Sequence, residues 1–111
     1  MAGGFEINRR SGGGFGFNLK AANDQVVLSS QGYKAKASCR KGIESVRRHS
    51  VDDANFARLA GSDGRPYFTL RASNGKVIGQ SQMYADTSGR DNGIRSVATN
   101  APTAPVEDHT S

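Results

Sequence analysis

Residues 34–48 hold six cations, Lys34, Lys36, Arg40, Lys41, Arg47 and Arg48, against the single anion Glu44. Lysine and arginine at that density neutralise phosphates. The first chemistry this sequence suggests is therefore attraction to nucleic acid or another anionic surface. The charge is uneven: residues 1–51 carry +6 and residues 52–111 carry −1, for a total of +5. Contacts of this kind hold the phosphate backbone without reading bases. Binders of single strands add exposed aromatic rings for stacking, and here only Tyr67 is expected on a polar sheet face. The plainer reading of the same stretch is a solvated helix face.

The remaining reactive side chains do not converge. Cys39 is the only cysteine and falls on the apolar stripe of a helix, where a thiol is structural rather than reactive. His49 and His109 are the only histidines; His49 aligns with Asn100 fifty-one residues on and His109 lies in the C-terminal tail, and neither reads as a metal or catalytic residue. The stretch Arg9-Arg10-Ser11-Gly12-Gly13-Gly14 resembles a phosphate loop in composition. It lacks the Lys-Ser/Thr ending and precedes a strand instead of a helix, so it reads as a hairpin loop. Asp52, Asp53 and Asp63 read as loop acids beside turn residues. Ser30 and Ser81 have no accompanying base. Tyr33 and Tyr84 could line a symmetric groove, or pack at a strand–helix corner with the hydroxyl bonded. The sequence calls for no catalytic residue, no metal site and no cofactor.

The pairing of Ser30 with Ser81 and of Tyr33 with Tyr84 belongs to an internal repeat. At an offset of 51, residues 15–50 align with 66–101 without a gap and are identical at twelve of 36 positions. The identities include Phe17/Phe68, Leu19/Leu70, Gly42/Gly93, Ile43/Ile94 and Val46/Val97, and Phe5 matches Phe56 upstream. A periodic self-match of this kind means duplicated structural units.

Each unit predicts three strands and a helix. A short apolar stretch (5–8; 56–59) gives a first strand, and a Gly-rich or charged loop follows. The alternation of Phe17, Leu19 and Ala21 with polar residues gives a second, half-buried strand. Asn23-Asp24 and Asn74-Gly75 then predict type I′ turns, leading to third strands over 25–30 and 76–81. With two-residue turns Ala21 faces Val26, Leu19 faces Leu28 and Phe17 faces Ser30, which together form the core face. The other face carries Lys20, Val27 and Ser29, with Arg71, Ile78 and Gln80 in the second unit. Ala35, Cys39, Ile43 and Val46 form a helical stripe over residues 35–48, and a second helix is expected over about 86–98, capped by Asp86.

The fold class that follows is α+β: two tandem β-β-β-α(-β) repeats forming a pseudo-dimeric antiparallel sheet with one helix per repeat. Residues 1–111 read as a single domain, with repeats over 5–50 and 56–101. Residues 102–111, with two prolines, read as a mostly flexible C-terminal tail with room for a short strand near Val106. Neither unit has a sufficient core alone, so the expected molecule is a monomer with internal pseudo-two-fold symmetry. No segment approaches a membrane span, and a single thiol fits a reducing compartment. The expected location is cytoplasmic.

The phrases Asn18-Leu19-Lys20-Ala21-Ala22-Asn23, Lys41-Gly42-Ile43-Glu44-Ser45-Val46 and Ile78-Gly79-Gln80-Ser81-Gln82-Met83-Tyr84-Ala85 resemble the YegP family of small bacterial proteins. The resemblance covers nearly the whole chain. Two departures stand out: Asp24 in place of the usual Gly, and Lys34-Ala35 in place of the usual Thr-Ser. The resemblance implies two units in one antiparallel sheet with exchanged C-terminal strands, and no chemistry. The expected function is a small non-enzymatic binding or interaction module, using the polar sheet face or the groove between units. The alternative is low-specificity nucleic-acid binding through the basic first helix. The residues that would serve are Lys34, Lys36, Arg40, Lys41, Arg47, Arg48, Lys20, Arg71, Tyr33 and Tyr84, and the partner would be a protein or a nucleic acid.

Overall fold

The computed structural model describes residues 3–110. The first repeat supplies β1 (Phe5–Arg9), β2 (Phe15–Lys20), β3 (Val26–Ser29) and α1 (Lys36–His49). The second supplies β4 (Phe56–Ala60), β5 (Pro66–Arg71), β6 (Val77–Gln80), α2 (Thr87–Asn100) and β7 (Val106–Asp108). All seven strands lie in one sheet, in the order β4-β5-β6-β3-β2-β1-β7. Both helices pack on one face, with α1 lying on β2 and reaching β5 and β6, while α2 lies on β5 and reaches β3. Each helix therefore straddles the boundary between repeats, and one core serves both units.

The hairpins differ from the expected two-residue turns. Asp24 N–H donates to the Ala21 carbonyl at 2.9 Å, and Ala21 N–H donates to the Gln25 carbonyl at 2.9 Å. Asp24 has φ +70°, and among the described residues it is the only non-glycine at positive φ. A type I′ turn would need positive φ at Asn23 as well, so this is a three-residue loop closed by one left-handed residue. Asn23 contributes by accepting from Gln25 N–H through Oδ1 at 3.2 Å. Asn74-Gly75 repeats the arrangement, with Gly75 at φ +83°.

This turn changes the face assignments. Pairing passes from Leu19↔Leu28, as expected, to Lys20↔Val26, and from Leu70↔Gly79 to Arg71↔Val77. Each step is a bulge that admits one extra residue. Val27 and Ile78, expected on the polar face, are instead 6% and 8% exposed members of the core. Val26 shares the outer face with Lys20, and Val77, at 39% exposed, shares it with Arg71.

The core repeats itself about the pseudo-axis. Phe5 meets Phe17 edge-on at 5.8 Å and Phe17 stacks on Tyr33 at 6.4 Å; Phe56, Phe68 and Tyr84 do the same at 5.7 and 6.2 Å. Gly42 and Gly93 let the helices lie against these stacks. A Cβ on Gly42 would strike the Tyr33 hydroxyl and stand 3.0 Å from the Phe17 ring, and one on Gly93 would strike the Tyr84 hydroxyl. This is why a residue that weakens a helix by about 1 kcal/mol is found twice in mid-helix.

The two halves meet at a narrow seam. β3 and β6 pair antiparallel through the single pair Ser29↔Gln80. Leu28 and Gly79 occupy equivalent positions in the two repeats, and a Cβ on Gly79 would stand 2.6 Å from Leu28 Cγ. Near the axis one large side chain and one missing side chain share a single space.

The C-terminal stretch, read from composition as a mostly flexible tail, includes a placed strand. A 3-10 turn at Ala101–Thr103 touches both helices, and β7 pairs parallel with β1, Phe5 opposite Val106. The sheet is antiparallel through its first six strands and parallel at the seventh. The strand exchange is one-way. After α1 the chain turns directly into β4 through Asp53–Asn55.

Candidate functional site

The structure separates the basic residues into two groups. Lys36 Nζ lies 2.9 Å from Asp108 Oδ2, and Arg40 Nη2 lies 3.2 Å from the same oxygen. Arg47 pairs with Glu44 at 2.5 Å and donates to the Ala104 carbonyl at 2.7 Å. These three cations face the C-terminal stretch and hold it against the fold. The Thr110 hydroxyl, with Lys36 beside it, keeps the Asp108 carboxyl well below the usual carboxylate range. Lys34, Lys41 and Arg48 are exposed and have no ion pair among the described residues. On the outer sheet face Lys20 lies 3.2 Å from Glu6 and 3.7 Å from Asp24. Its equivalent Arg71 is exposed and has neither acid, because Ala57 and Gly75 stand in their places. Of the six cations in and beside the expected basic helix, three are thus left without an ion pair among the described residues.

The repeated polar residues have structural partners. Ser30 Oγ accepts from Phe17 N–H at 2.9 Å and donates to the Gln31 carbonyl at 2.7 Å. Ser81 does the same for Phe68 and Gln82 at 2.9 and 2.8 Å. His49 Nδ1 lies 2.8 Å from the Ser45 carbonyl, and Nε2 accepts from Ser73 N–H at 3.2 Å. Its counterpart Asn100 reaches the Ser96 carbonyl at 2.8 Å, so one bond pattern serves both side chains. Cys39 is fully buried, and burial pushes its thiol pKa up. Tyr33 and Tyr84 stack on core phenylalanines, Tyr33 also lines a shallow pocket beside the loop 10–14, and burial pushes both phenols up. The expectation that the tyrosine hydroxyl is bonded is not met at Tyr84, whose buried hydroxyl has no partner among the described residues.

The outer face of the sheet carries a groove over the seam that the sequence reading left undefined. It measures about 590 Å³. Its walls come in equivalent pairs: Val26 with Val77, Ser30 with Ser81, and Gln31 with Gln82, joined by Ser29, Gln80, Gly79 and Thr69. None of these side chains is ionisable. Thr69 is 5% exposed, and its hydroxyl is buried without a partner among the described residues. In the first repeat the same position is Asn18, which accepts from the Ser29 hydroxyl at 2.8 Å. Gln80 replaces that serine opposite Thr69. The shared Gln31/Gln82 and Ser30/Ser81 identities were legible in the sequence. The bulges that bring Val26 and Val77 to this face were not.

An α+β sheet of two equivalent units, with both helices on one side, defines a tandem-repeat class of small protein. The chain belongs to the family described as "Domain of unknown function (DUF1508)", which matches residues 11–56 and 62–108. It is 49% identical to a UPF0339 protein of Bordetella pertussis over 107 residues, covering 96% of each chain. It is 44% identical to the UPF0339 protein YegP of Escherichia coli O6:H1, covering 99% of this chain and all of that one. Two solution structures share the fold. A UPF0339 protein of Shewanella oneidensis matches with TM-score 0.92 at 43% identity, over 99% of this chain and 93% of that one. The Escherichia coli yegP protein matches with TM-score 0.94 at 42% identity, over 100% and 96%. The family resemblance read from the sequence therefore holds, and these relatives are proteins without an assigned function. Among the described residues no helix is long and apolar enough to cross a membrane.

Proposed function

We propose that this protein is a non-enzymatic binding module that takes an uncharged, hydrogen-bonding ligand in the groove over the seam. The observation that carries this reading is the Thr69 hydroxyl, buried without a partner in the wall of that groove. A buried hydroxyl left unpaired costs about 1–3 kcal/mol, and a ligand that bonds it recovers that loss. The absence of ionisable groups in the wall favours a neutral ligand. It also leaves the groove without an acid–base pair for catalysis. The protein acts as a cytoplasmic monomer in this reading, since one chain supplies both halves of the groove.

The test is an NMR titration with N-acetylglucosamine as a neutral probe and glucose 6-phosphate as a charged one. Shifts at Thr69, Gln31 and Gln82 with the neutral probe are expected, together with their loss in Thr69→Val. That variant is also expected to be more stable by about 1 kcal/mol, because it removes an unbonded buried hydroxyl. Stronger response to the charged probe, or a destabilised Thr69→Val, would count against the reading.

The second reading, nucleic-acid binding, is supported by the exposed and unpaired Lys34, Lys41 and Arg48. It predicts salt-sensitive shifts at those residues with mixed short DNA and RNA. Binding unchanged at high salt, or no shift at all, excludes it.

A further inference from the structure

The hairpin loops that open the two repeats are built alike and finished differently. Residues 10–14 join β1 to β2, and residues 61–65 join β4 to β5. Arg10 N–H donates to the Gly14 carbonyl at 2.7 Å, and Gly13 N–H to the Arg10 carbonyl at 3.1 Å. Gly61, Gly64 and Arg65 repeat both bonds at 2.9 Å. In the second repeat this corner is closed by its own side chains. Asp63 Oδ1 accepts from Arg65 N–H at 3.1 Å, and Oδ2 accepts from Arg65 Nε at 2.6 Å. Met83 lies over Gly61, where a Cβ would stand 3.0 Å from the methionine Cε. A carboxylate is thus part of the second loop, and a thioether fills the space beside it.

The first repeat has glycine at all three of those positions: Gly12 for Asp63, Gly14 for Arg65 and Gly32 for Met83. The space is left as a pocket of about 300 Å³, and a Cβ on Gly12, Gly13 or Gly32 would meet nothing within 4 Å. What the corner loses in acid it gains in base. Arg10 and Lys34 line the pocket. Arg9 and Lys36 flank the adjoining Phe15 ring at 5.4 and 5.9 Å. At the offset of 51 these four cations become Gly61, Ala85, Ala60 and Thr87, none of them charged. Lys36 is shared with Asp108. Arg9, Arg10 and Lys34 have no ion pair among the described residues, and no acid among them lines the pocket. Arg10 is steadied through one of its donors, Nη2, which reaches the Ser30 carbonyl at 3.3 Å.

We propose that this pocket binds the terminal phosphate of a small phosphorylated molecule, which brings from outside the anion that Asp63 provides within the second loop. A phosphate monoester carries about −1.5 to −2 charge at pH 7, which matches a corner where cations gather without acids. Arginine meets phosphate oxygens through its planar fork, and lysine adds a point charge. The site differs from a phosphate loop of the usual kind, since a strand and not a helix follows the glycines. The phosphate is held by side chains and loop backbone, without a helix dipole. The pocket shares no lining residue with the seam groove, so the two readings stand or fall separately.

The experiment titrates the isotope-labelled full chain with inorganic pyrophosphate at fixed ionic strength. Saturable shifts of the Gly12, Gly13, Gly14 and Lys34 amides are expected below about 10 mM, with Thr69 and Gln82 in the seam groove unmoved. Lys34→Ala changes an exposed side chain to the residue type of the second repeat. It is expected to weaken binding about five-fold, the scale of one exposed charge contact. Lys41→Ala removes a cation that is equally exposed and does not line the pocket, and it is expected to change nothing. Equal weakening by both variants would overturn the proposal, because it would mean diffuse attraction to the basic half. Shifts that do not saturate, or that miss residues 12–14, would overturn it as well. So would tighter binding of a short single-stranded DNA lacking terminal phosphates, which would assign the corner to a polymer backbone.

Discussion

Asp24 and Gly75 do the same task with different success. Both close a three-residue hairpin loop from the left-handed region, at φ +70° and +83°. A side chain there meets the following carbonyl, a cost that aspartate tolerates better than most residues but glycine avoids. Asp24→Gly also removes the exposed contact with Lys20 at 3.7 Å, which is worth little, and frees the unfolded chain slightly. The balance predicts a gain of about 0.5 kcal/mol and roughly 2 °C in Tm. Thermal unfolding of the single variant checks it, and an unchanged or lowered midpoint would show that the aspartate has a use the turn geometry does not reveal.

At the scale of elements, the C-terminal strand is held by a small electrostatic knot. Asp108 gathers Lys36, Arg40 and the Thr110 hydroxyl, the last at 2.5 Å. Its lowered pKa fixes the sign of a pH effect. A carboxyl whose folded pKa lies below its unfolded value adds stability in full above about pH 4, and this is lost as pH falls through the folded pKa. Asp108→Asn should therefore destabilise the protein at neutral pH and leave a shallower decline of stability below about pH 4. It should also speed hydrogen exchange at His109 N–H, which bonds Ile7, more than at the α1 amides. Uniform acceleration across the molecule would mean that β7 does not open separately. This element also marks where the sequence became opaque. The strands, helices and the Asp86 cap were legible because apolar periodicity and turn residues are local. Asp86 Oδ1 indeed accepts from Gly89 N–H at 2.8 Å. The bulges at Leu19/Lys20 and Leu70/Arg71 were not, since strict alternation has no place for an extra residue. β7 was half legible: Pro102 and Pro105 read as a loose tail, and its anchors on α1 are more than fifty residues away. The cations of α1 were visible, but that three of them are engaged within the fold depends on Asp108, Glu44 and Ala104 arriving beside them.

For the whole molecule, the seam sets how the halves fit. The helices straddle it, and Leu28 fills the space that Gly79 leaves empty. Gly79→Leu would place two branched side chains near the axis. Overpacking of a close-packed core of this kind costs about 1–3 kcal/mol. The loss should be recovered largely by the compensating pair Leu28→Gly with Gly79→Leu, which exchanges the two roles. Denaturant titration of the single and double variants measures that coupling, and additive losses would mean that the two residues do not share one space.

The Leu28–Gly79 contact also bears on ancestry. Two identical units meeting on a true axis must place the same residue on both sides of it, so neither could enlarge without the other. Joining the units in one chain lifts that constraint. Once one side had grown into the other's vacancy, the halves ceased to be interchangeable. A first repeat meeting its own copy would set leucine against leucine, a second repeat would set glycine against glycine, and only the unlike pair closes the seam.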